Sequence, residues 1–262
     1  MSWDMKIGVE ARENRGNGLV FDGERVDDLQ YKGLRIIQSP AAFRFGTDSV
    51  LLAHFARDGM KNAPKRSRVL DLGAGTGVLS LLLHGGTGLG VTAVELDPAQ
   101  YSRLCRSLEL NGLAPEAVAP VNADFLDPAL DLGAKFDYAV CNPPYFGAKQ
   151  GKLSLNAEAT HELSSDIRGV AIAARRHLKF GGKLFICYPC SRLAEALRVF
   201  AENGLEPKQL RLVETRAGAK PYLALIRANR GAKPGLVVEN NLTIHAPDGQ
   251  YTEEVQSYYD EQ

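Results

Sequence analysis

The stretch Asp71-Leu-Gly-Ala-Gly-Thr-Gly77 is the strongest indication of the fold class, because it joins a strand-like run at 68–72 to an apolar helical run at 78–83. Glycines between a first strand and a first helix let a nucleotide-like ligand approach the backbone, and the helix N-terminus adds partial positive charge. After Gly73 and Gly75, the third position of the dinucleotide fingerprint falls on Val78. The turn therefore predicts a cofactor site and disfavours NAD.

Strand and helix patterns alternate on both sides of this turn. Strands are expected at 68–72, 91–96, 118–122, 136–141 and 183–188, and helices at 47–59, 78–83, 98–111, 165–179 and 191–203. Thr47, Asp48 and Ser49 offer N-caps for the first helix. Gly59 is interpreted as the stop of that helix and Gly85-Gly86 as the stop of the next.

After Gly204 the pattern changes, because strands at 210–214 and 222–227 follow each other with no room for a helix between them. Two such strands are expected to pair antiparallel. The sequence therefore predicts an α/β fold of the doubly wound kind, with a mostly parallel sheet and an antiparallel edge hairpin.

The composition is that of an ordinary globular chain of 262 residues, with 45% hydrophobic residues and 31 basic against 31 acidic side chains. We expect one domain over 31–262, preceded by a polar arm over 1–30 with one short hairpin near 19–25. No apolar run is long enough to span a membrane and the first residues lack a secretory pattern, so a cytoplasmic protein with no membrane partner is expected.

Cysteines and histidines give no sign of a metal site or a disulfide scaffold. The chain has four cysteines and five histidines, and the histidines show no ligand spacing. Cys187-Tyr-Pro-Cys190 has redox or zinc spacing, but no second pair accompanies it. We expect reduced thiols in the core and no metal.

Basic residues are concentrated in one segment of the chain. Residues 165–235 hold 14 basic and five acidic side chains, a net charge of +9, whereas 236–262 hold six acidic side chains and no basic one. Such segregation fits a face that meets a polyanion, and equally a set of solvated helix faces.

Acidic side chains follow two of the predicted strands. Glu95 ends the second strand, 18 residues after Gly77, where a carboxylate can accept hydrogen bonds from both hydroxyls of a ribose bound at the turn. Asp124 and Phe125 follow the third strand and offer an acceptor for an adenine amino group and a ring to pack on it. Both sites also fit ordinary turn residues.

The run Cys141-Asn-Pro-Pro-Tyr-Phe146 ends the strand at 136–141. Its two prolines lack N–H donors and fix the local backbone, which holds the carbonyls at the edge of the sheet. The side-chain oxygen of Asn142 and the carbonyl of Pro143 can accept both hydrogens of one exocyclic amine, while Tyr145 stacks on its ring. This clamp aims the nitrogen lone pair at an electrophile without a strong base.

Taken in this order, the Gly-rich turn, the two acids and Asn-Pro-Pro-Tyr resemble the Rossmann-like S-adenosylmethionine-dependent amino-methyltransferases. Three flanking stretches are similar to the tRNA1(Val) adenine-N6 methyltransferase family in particular. They are Asp27-Asp-Leu-Gln-Tyr-Lys-Gly-Leu-Arg-Ile-Ile-Gln-Ser-Pro40, Phe45-Gly-Thr-Asp-Ser-Val-Leu-Leu52 and Ala246-Pro-Asp-Gly-Gln-Tyr-Thr-Glu-Glu254. The likeness covers most of the chain from residue 27.

The resemblance implies S-adenosylmethionine as cofactor and N6 of adenine 37, in a tRNA for valine, as target. It puts the methionine end of the cofactor at Asp71, Gly73, Ala74, Gly75 and Gly77. The ribose would then meet Glu95, the cofactor adenine Asp124 and Phe125, and the substrate adenine Asn142, Pro143 and Tyr145. With tRNA as partner, the candidate phosphate contacts are Arg211, Arg216, Lys220, Arg227, Arg230 and Lys233.

Other functions share the same motifs. A release-factor glutamine methyltransferase, an rRNA guanine-N2 methyltransferase and a DNA adenine methyltransferase would all use Asn-Pro-Pro-Tyr. A DNA enzyme needs a recognition domain for which this chain leaves little room. A non-catalytic RNA-binding module needs neither the Gly-rich turn nor the clamp.

Overall fold

The computed structural model describes residues 18–39, 46–143 and 157–259, which form a central sheet with helices on both faces. The strands are β1 Arg25–Asp28, β2 Arg35–Gln38, β3 Arg68–Leu72, β4 Gly90–Glu95, β5 Val118–Asn122, β6 Phe136–Cys141, β7 Leu178–Pro189, β8 Leu205–Arg216, β9 Leu223–Arg230, β10 Val237–Val238 and β11 Leu242–His245. The helices are α1 Thr47–Met60, α2 Val78–Thr87, α3 Pro98–Leu110, α4 Ala157–His177, α5 Leu193–Glu202 and α6 Glu253–Ser257.

The strand order of the large sheet is β5-β4-β3-β6-β7-β9-β8. The pairs from β5 to β7 are all parallel, and β9 runs antiparallel to both β7 and β8. The predicted doubly wound fold and its antiparallel hairpin are thereby confirmed. Beyond the hairpin, β10 and β11 also pair with β8 in parallel.

Two apolar clusters pack on the two faces of the sheet. The first joins α1, α2, α3 and α6 and includes Leu51, Leu82, Leu104 and Val255. The second lies under α4 and α5 and includes Phe200. Among the described residues, no helix is long and apolar enough to cross a membrane.

Three glycines that were predicted to stop helices lie inside them. Gly59 belongs to α1, where a Cβ atom would collide with the ring of Phe185. Gly85 and Gly86 belong to α2, and a Cβ on Gly86 would collide with Arg57. The predicted helix ends are wrong, because these glycines occur inside the helices to let neighbouring side chains pack closely against the backbone. The helix α2 ends instead at Gly88, whose φ is +70°.

The N-terminal hairpin lies further along the chain than 19–25, since β1 pairs with β2. Before β1, Glu24 forms ion pairs with Arg103 and Arg106 of α3, which hold the pKa of Glu24 at about 2. The arm predicted over 1–30 thus contacts the domain over the part that the structure describes, while the boundary at residue 30 stays a prediction.

The tail docks on the domain through α6. The ring of Tyr258 stacks on His54 of α1 at 4.1 Å between centroids, and Glu254 forms an ion pair with Arg211 of β8. The described part of the tail is thus packed on the body of the domain. Val255 of α6 belongs to the same apolar cluster as the buried side chains of α1.

Candidate functional site

The candidate residues meet at one edge of the sheet because β3, β4, β5 and β6 are parallel. Asp71 pairs with Val140 in register, and Glu95 pairs with Asn122. Asp71, Glu95 and Asn142 therefore come to the carboxyl edge from three neighbouring strands, β3, β4 and β6. This edge of a doubly wound sheet is where ligands of such folds bind.

The Gly-rich turn needs its glycines for different reasons. Gly73, Gly75 and Gly77 all have positive φ, of 74°, 58° and 98°, a region that L side chains rarely occupy. A Cβ on Gly75 would meet no atom within 4 Å, so this glycine leaves open space above the turn. A Cβ on Gly77 would lie 2.5 Å from Leu104, so that glycine allows α3 to pack closely.

Asp71 is a fully buried carboxyl group beneath this turn. Its Oδ2 accepts a hydrogen bond of 2.7 Å from the Ser80 hydroxyl, and its Oδ1 has no hydrogen-bond partner among the described residues. Burial, reinforced by the negative charge of Glu95, raises the pKa of Asp71 to about 7. One acceptor oxygen beneath the turn is thus buried and has no hydrogen-bond partner among the described residues.

Glu95 ties the end of β4 to the same turn. Its Oε2 accepts from the backbone N–H of Gly75 at 2.7 Å, and its Oε1 accepts from that of Asp97 at 2.8 Å. The amide of Asn122 donates to the Glu95 carbonyl at 2.8 Å and so fixes the neighbouring backbone. The two oxygens are held side by side, each with a lone pair left for a hydroxyl group.

Of the pair after β5, the aromatic ring lies against the Gly-rich turn. The ring of Phe125 lies 3.6 Å from the position of a Cβ on Gly73. Asp124 Oδ1 accepts from the N–H of Leu126 at 2.8 Å, which closes its own turn. The acceptor role of Asp124 toward an adenine stays a prediction.

The side chain of Asn142 is held between α1 and β7. Its Nδ2 donates to the Ser49 hydroxyl at 2.8 Å, and its Oδ1 accepts from the Cys187 thiol at 3.1 Å. Ser49 is 5% exposed and Cys187 is fully buried. The two contacts restrict rotation of the amide at the edge of the sheet. Pro143 is buried beside it, and Tyr145 lies outside the described residues.

Sequence reasoning missed Ser49 and Cys187 as members of this site. Ser49 was assigned to helix capping, but the N-cap of α1 is Gly46, with no side-chain hydrogen bond to the helix. Cys187 was assigned to the core, and it is buried there as a free thiol. The signal for Ser49 was its place in the Phe45–Leu52 stretch, whereas the contact of Cys187 depends on the pairing of β6 with β7.

A second pair, which joins the start of α1 to the residue before β9, involves the neighbour of Ser49. The Tyr222 hydroxyl donates to Asp48 Oδ1 at 3.3 Å. Burial raises the pKa of Asp48, and burial together with the Asp48 charge raises the pKa of Tyr222. Neither residue was predicted to have a role in the site.

The six basic residues proposed to contact phosphates do not share one surface. Arg216 and Lys220 are exposed in the β8–β9 turn, at the carboxyl edge that carries Asn142. Arg230 lies at the opposite edge, where it donates to the carbonyl of Leu178 and lines a pocket of about 280 Å³. Arg211 is engaged by Glu254.

The remaining two also lie away from the site. Arg227 pairs in register with Phe185 and Gln209 in mid-strand, and Lys233 follows the far end of β9. Within the described part of the chain, no group of three His, Cys, Asp or Glu residues is arranged to hold a metal ion.

Comparison with known proteins gives a family match over the part of the chain that carries the site. The family model described as methyltransferase small domain matches residues 39–196. Relatives from Shewanella woodyi and Aeromonas hydrophila are both named tRNA1(Val) (adenine(37)-N6)-methyltransferase. They are 27% and 29% identical, and the aligned regions cover 86% and 87% of this chain and 94% of each relative.

Solved structures share the fold. A predicted O-methyltransferase from Agrobacterium tumefaciens is 20% identical with a TM-score of 0.63, over 81% of this chain and 95% of that one. A T. thermophilus 16S rRNA N2 G1207 methyltransferase, solved with AdoMet and guanosine, is 23% identical with a TM-score of 0.57, over 79% of this chain and 50% of that one. At these identities the likeness is one of fold alone.

Proposed function

The chain belongs to the methyltransferase small domain family, whose match spans 39–196, and on that premise we propose that it transfers a methyl group from S-adenosylmethionine to N6 of an adenine in tRNA. The observation that carries the proposal is the Asn142 amide, held by Ser49 and Cys187 at the strand end beside the Gly-rich turn. The names of the relatives support adenine 37 of a valine tRNA as the target.

The cofactor is proposed to lie along β3 and β4. The open Oδ1 of Asp71 and the empty space over Gly75 fit a ligand that carries a cationic amino group, since they offer a buried acceptor and a close approach to the backbone. The proposed contacts are Asp71, Gly73, Ala74, Gly75 and Gly77 for its methionine end, Glu95 for its ribose, and Asp124 and Phe125 for its adenine. When bound, this cofactor supplies an electrophilic methyl group.

The substrate amine is proposed to bind at Asn142 and Pro143. We propose that the Oδ1 of Asn142, which accepts a hydrogen bond from Cys187, also accepts one hydrogen of the amine, since an amide oxygen can accept two, and that the Pro143 carbonyl accepts the other. Both acceptors would hold the nitrogen lone pair toward the cofactor side of the edge. Rate acceleration then comes from positioning rather than from a strong base. Tyr145 is proposed to stack on the same adenine.

The surface around the site supports a polyanionic substrate. Arg216 and Lys220 lie at the edge that carries Asn142, so we propose that these two contact phosphates next to the target base. The other four predicted contacts, Arg211, Arg227, Arg230 and Lys233, lie in mid-sheet or at the far edge, where only a large partner such as a whole tRNA would reach them. We propose that the enzyme acts in the cytoplasm.

The proposal is tested by transfer of labelled methyl from S-adenosylmethionine to purified total tRNA, total rRNA, DNA and a protein extract. We expect label in tRNA alone, as N6-methyladenosine within an anticodon-loop fragment. Label in rRNA or protein would support the methyltransferase activity and contradict the proposal that tRNA is the substrate. No label in any sample, with cofactor binding intact, would favour the non-catalytic RNA-binding module.

A further inference from the structure

Tyr222 is an exposed aromatic side chain on a rigid backbone at the edge that carries Asn142. It is 39% exposed and directly precedes β9. Its carbonyl accepts from the N–H of Cys190 and its N–H donates to the carbonyl of Val213, both at 3.0 Å. Hydrogen bonds to β8 and to the residue that follows β7 therefore fix the backbone of Tyr222, and the bond from its hydroxyl to Asp48 fixes the far end of its ring.

Two short routes connect this ring to Asn142. Asp48, which accepts from the Tyr222 hydroxyl, directly precedes Ser49, which accepts from the Asn142 amide. Cys187, which donates to Asn142 Oδ1, is also close enough to Tyr222 to contribute to its raised pKa. Since β7 alone separates β6 from β9, Asn142 and Tyr222 lie about 10 Å apart across the strands, and by the register Tyr222 lies three residues further out along β9 than the level of Asn142. A base together with a tyrosine side chain can span this separation.

Tyr222 lies on the side of Asn142 that faces away from the proposed cofactor site. The residues proposed to hold the cofactor come from β3, β4 and the turn after β5, on one side of β6, whereas Tyr222 comes from β9, on the other side. A base that presents its amine to Asn142 with the lone pair toward the cofactor must extend its ring away from the cofactor. That direction leads over β7 toward β9.

We propose that Tyr222 is a ring-stacking contact for the substrate base, which rests on the proposed function and adds a residue to it. Exposed aromatic rings combined with basic side chains are the usual means of holding unpaired RNA bases. The β8–β9 turn supplies both, since Arg216 and Lys220 precede Tyr222 in the same turn. The bond to Asp48 keeps the ring oriented before the base arrives.

The test compares Tyr222→Leu with Tyr222→Phe in steady-state methylation of tRNA. Tyr222→Leu removes the ring, and we expect a rise of about tenfold or more in KM for tRNA, with kcat within about threefold, as for the loss of one stacked base. Tyr222→Phe keeps the ring and should remain within about threefold of wild type in both constants. Phe180→Leu, which removes an aromatic side chain that is 81% exposed at the start of β7, is the matched control and should behave as wild type.

Two results would overturn the stacking role. Wild-type kinetics in Tyr222→Leu would exclude a contact with the base. Equal losses in the Leu and Phe variants would assign the effect to the hydroxyl and its bond to Asp48. Cofactor affinity, measured by calorimetry without tRNA, should be unchanged in every variant. If the wild type fails to methylate tRNA, the proposed function itself fails, which is a different outcome from a Leu variant that matches an active wild type.

Discussion

The cofactor side of the candidate site is formed mainly by backbone atoms, whereas the substrate side is formed mainly by side chains. On the β4 side of β6, the site consists mainly of backbone, with three glycines of positive φ and a carboxylate bonded to the N–H of Gly75. On the β7 side it consists of side chains from distant parts of the chain, since Asn142 meets Ser49 and Cys187. The first side depends largely on the local conformation of one turn, and the second depends on how α1 and β7 pack beside β6.

This difference indicates which substitutions should change cofactor affinity and which should change turnover. A backbone-built region is defined by conformation, and its few side chains should affect ligand affinity. A region built from converging side chains is defined by orientation, and its members should affect turnover with little effect on cofactor binding. Substitutions on the two sides should therefore differ in whether they change turnover or cofactor affinity.

Asn142→Ala should abolish turnover while cofactor affinity stays within about threefold of wild type. The variant removes the oxygen that holds the amine, and loss of one such group costs about a hundredfold or more in kcat. Methyl transfer to tRNA and calorimetry with S-adenosylmethionine measure the two quantities. Residual turnover within tenfold of wild type would contradict the amine-clamp account and with it the division between the two sides.

Glu95→Ala should weaken cofactor binding by about ten- to a hundredfold, because hydrogen bonds to a charged group contribute about 1.5–3 kcal/mol each. Glu116→Ala, at an exposed position after α3, is the matched control and should bind as wild type. Calorimetry without tRNA measures the affinity. An unchanged affinity in Glu95→Ala would show that the cofactor ribose does not bind at Glu95.

Reversal of both charges in Arg216→Glu with Lys220→Glu should lower tRNA affinity by about tenfold and reduce the slope of log affinity against log salt by roughly two. The double reversal of Arg230 and Lys233 at the far edge is the comparison and should change both quantities less. Filter binding at several salt concentrations measures them. A larger effect at the far edge would place the principal phosphate contacts there.

Ser49→Ala should lower kcat by about three- to tenfold, with the KM values and the melting temperature close to wild type. The hydroxyl accepts a hydrogen bond from the Asn142 amide, so its loss affects the orientation of that amide. Ser49→Thr keeps a hydroxyl and should recover turnover. A fall in stability that accounts for the lost activity would instead give Ser49 a purely structural role.

Asp71→Asn should make the cofactor-free protein less sensitive to pH, the smallest effect of the set. The pKa of Asp71 is raised from 3.8 to about 7, so its buried neutral form supports the fold below pH 4, and that support is lost as pH rises toward 7. Thermal melts at pH 5 and pH 8 should show a loss of several degrees in the wild type and a smaller loss in the variant. Equal losses would contradict a buried neutral carboxyl.

The same division explains how far the sequence could be interpreted. The strands at 118–122 and 136–141 occur with the predicted bounds, and the helix predicted at 98–111 ends within one residue of its expected position, because local patterns and a cap determine them. Gly59 and Gly86 were misinterpreted because a glycine beside Phe185 or Arg57 is indistinguishable, in sequence, from a glycine that ends a helix. Contacts that depend on which strands are neighbours were missed for the same reason.

The docking of α6 on α1 has a consequence for the order in which the protein is made. The helix that carries Ser49 begins at residue 47, but its outer face is completed by Val255 and by Tyr258 stacked on His54, near the end of the chain. Because synthesis proceeds from the N-terminus, the packing of α1 is complete only after α6, far downstream in the sequence, has been made. The packing of the helix that carries Ser49 therefore depends on a segment that is translated after every strand of the large sheet.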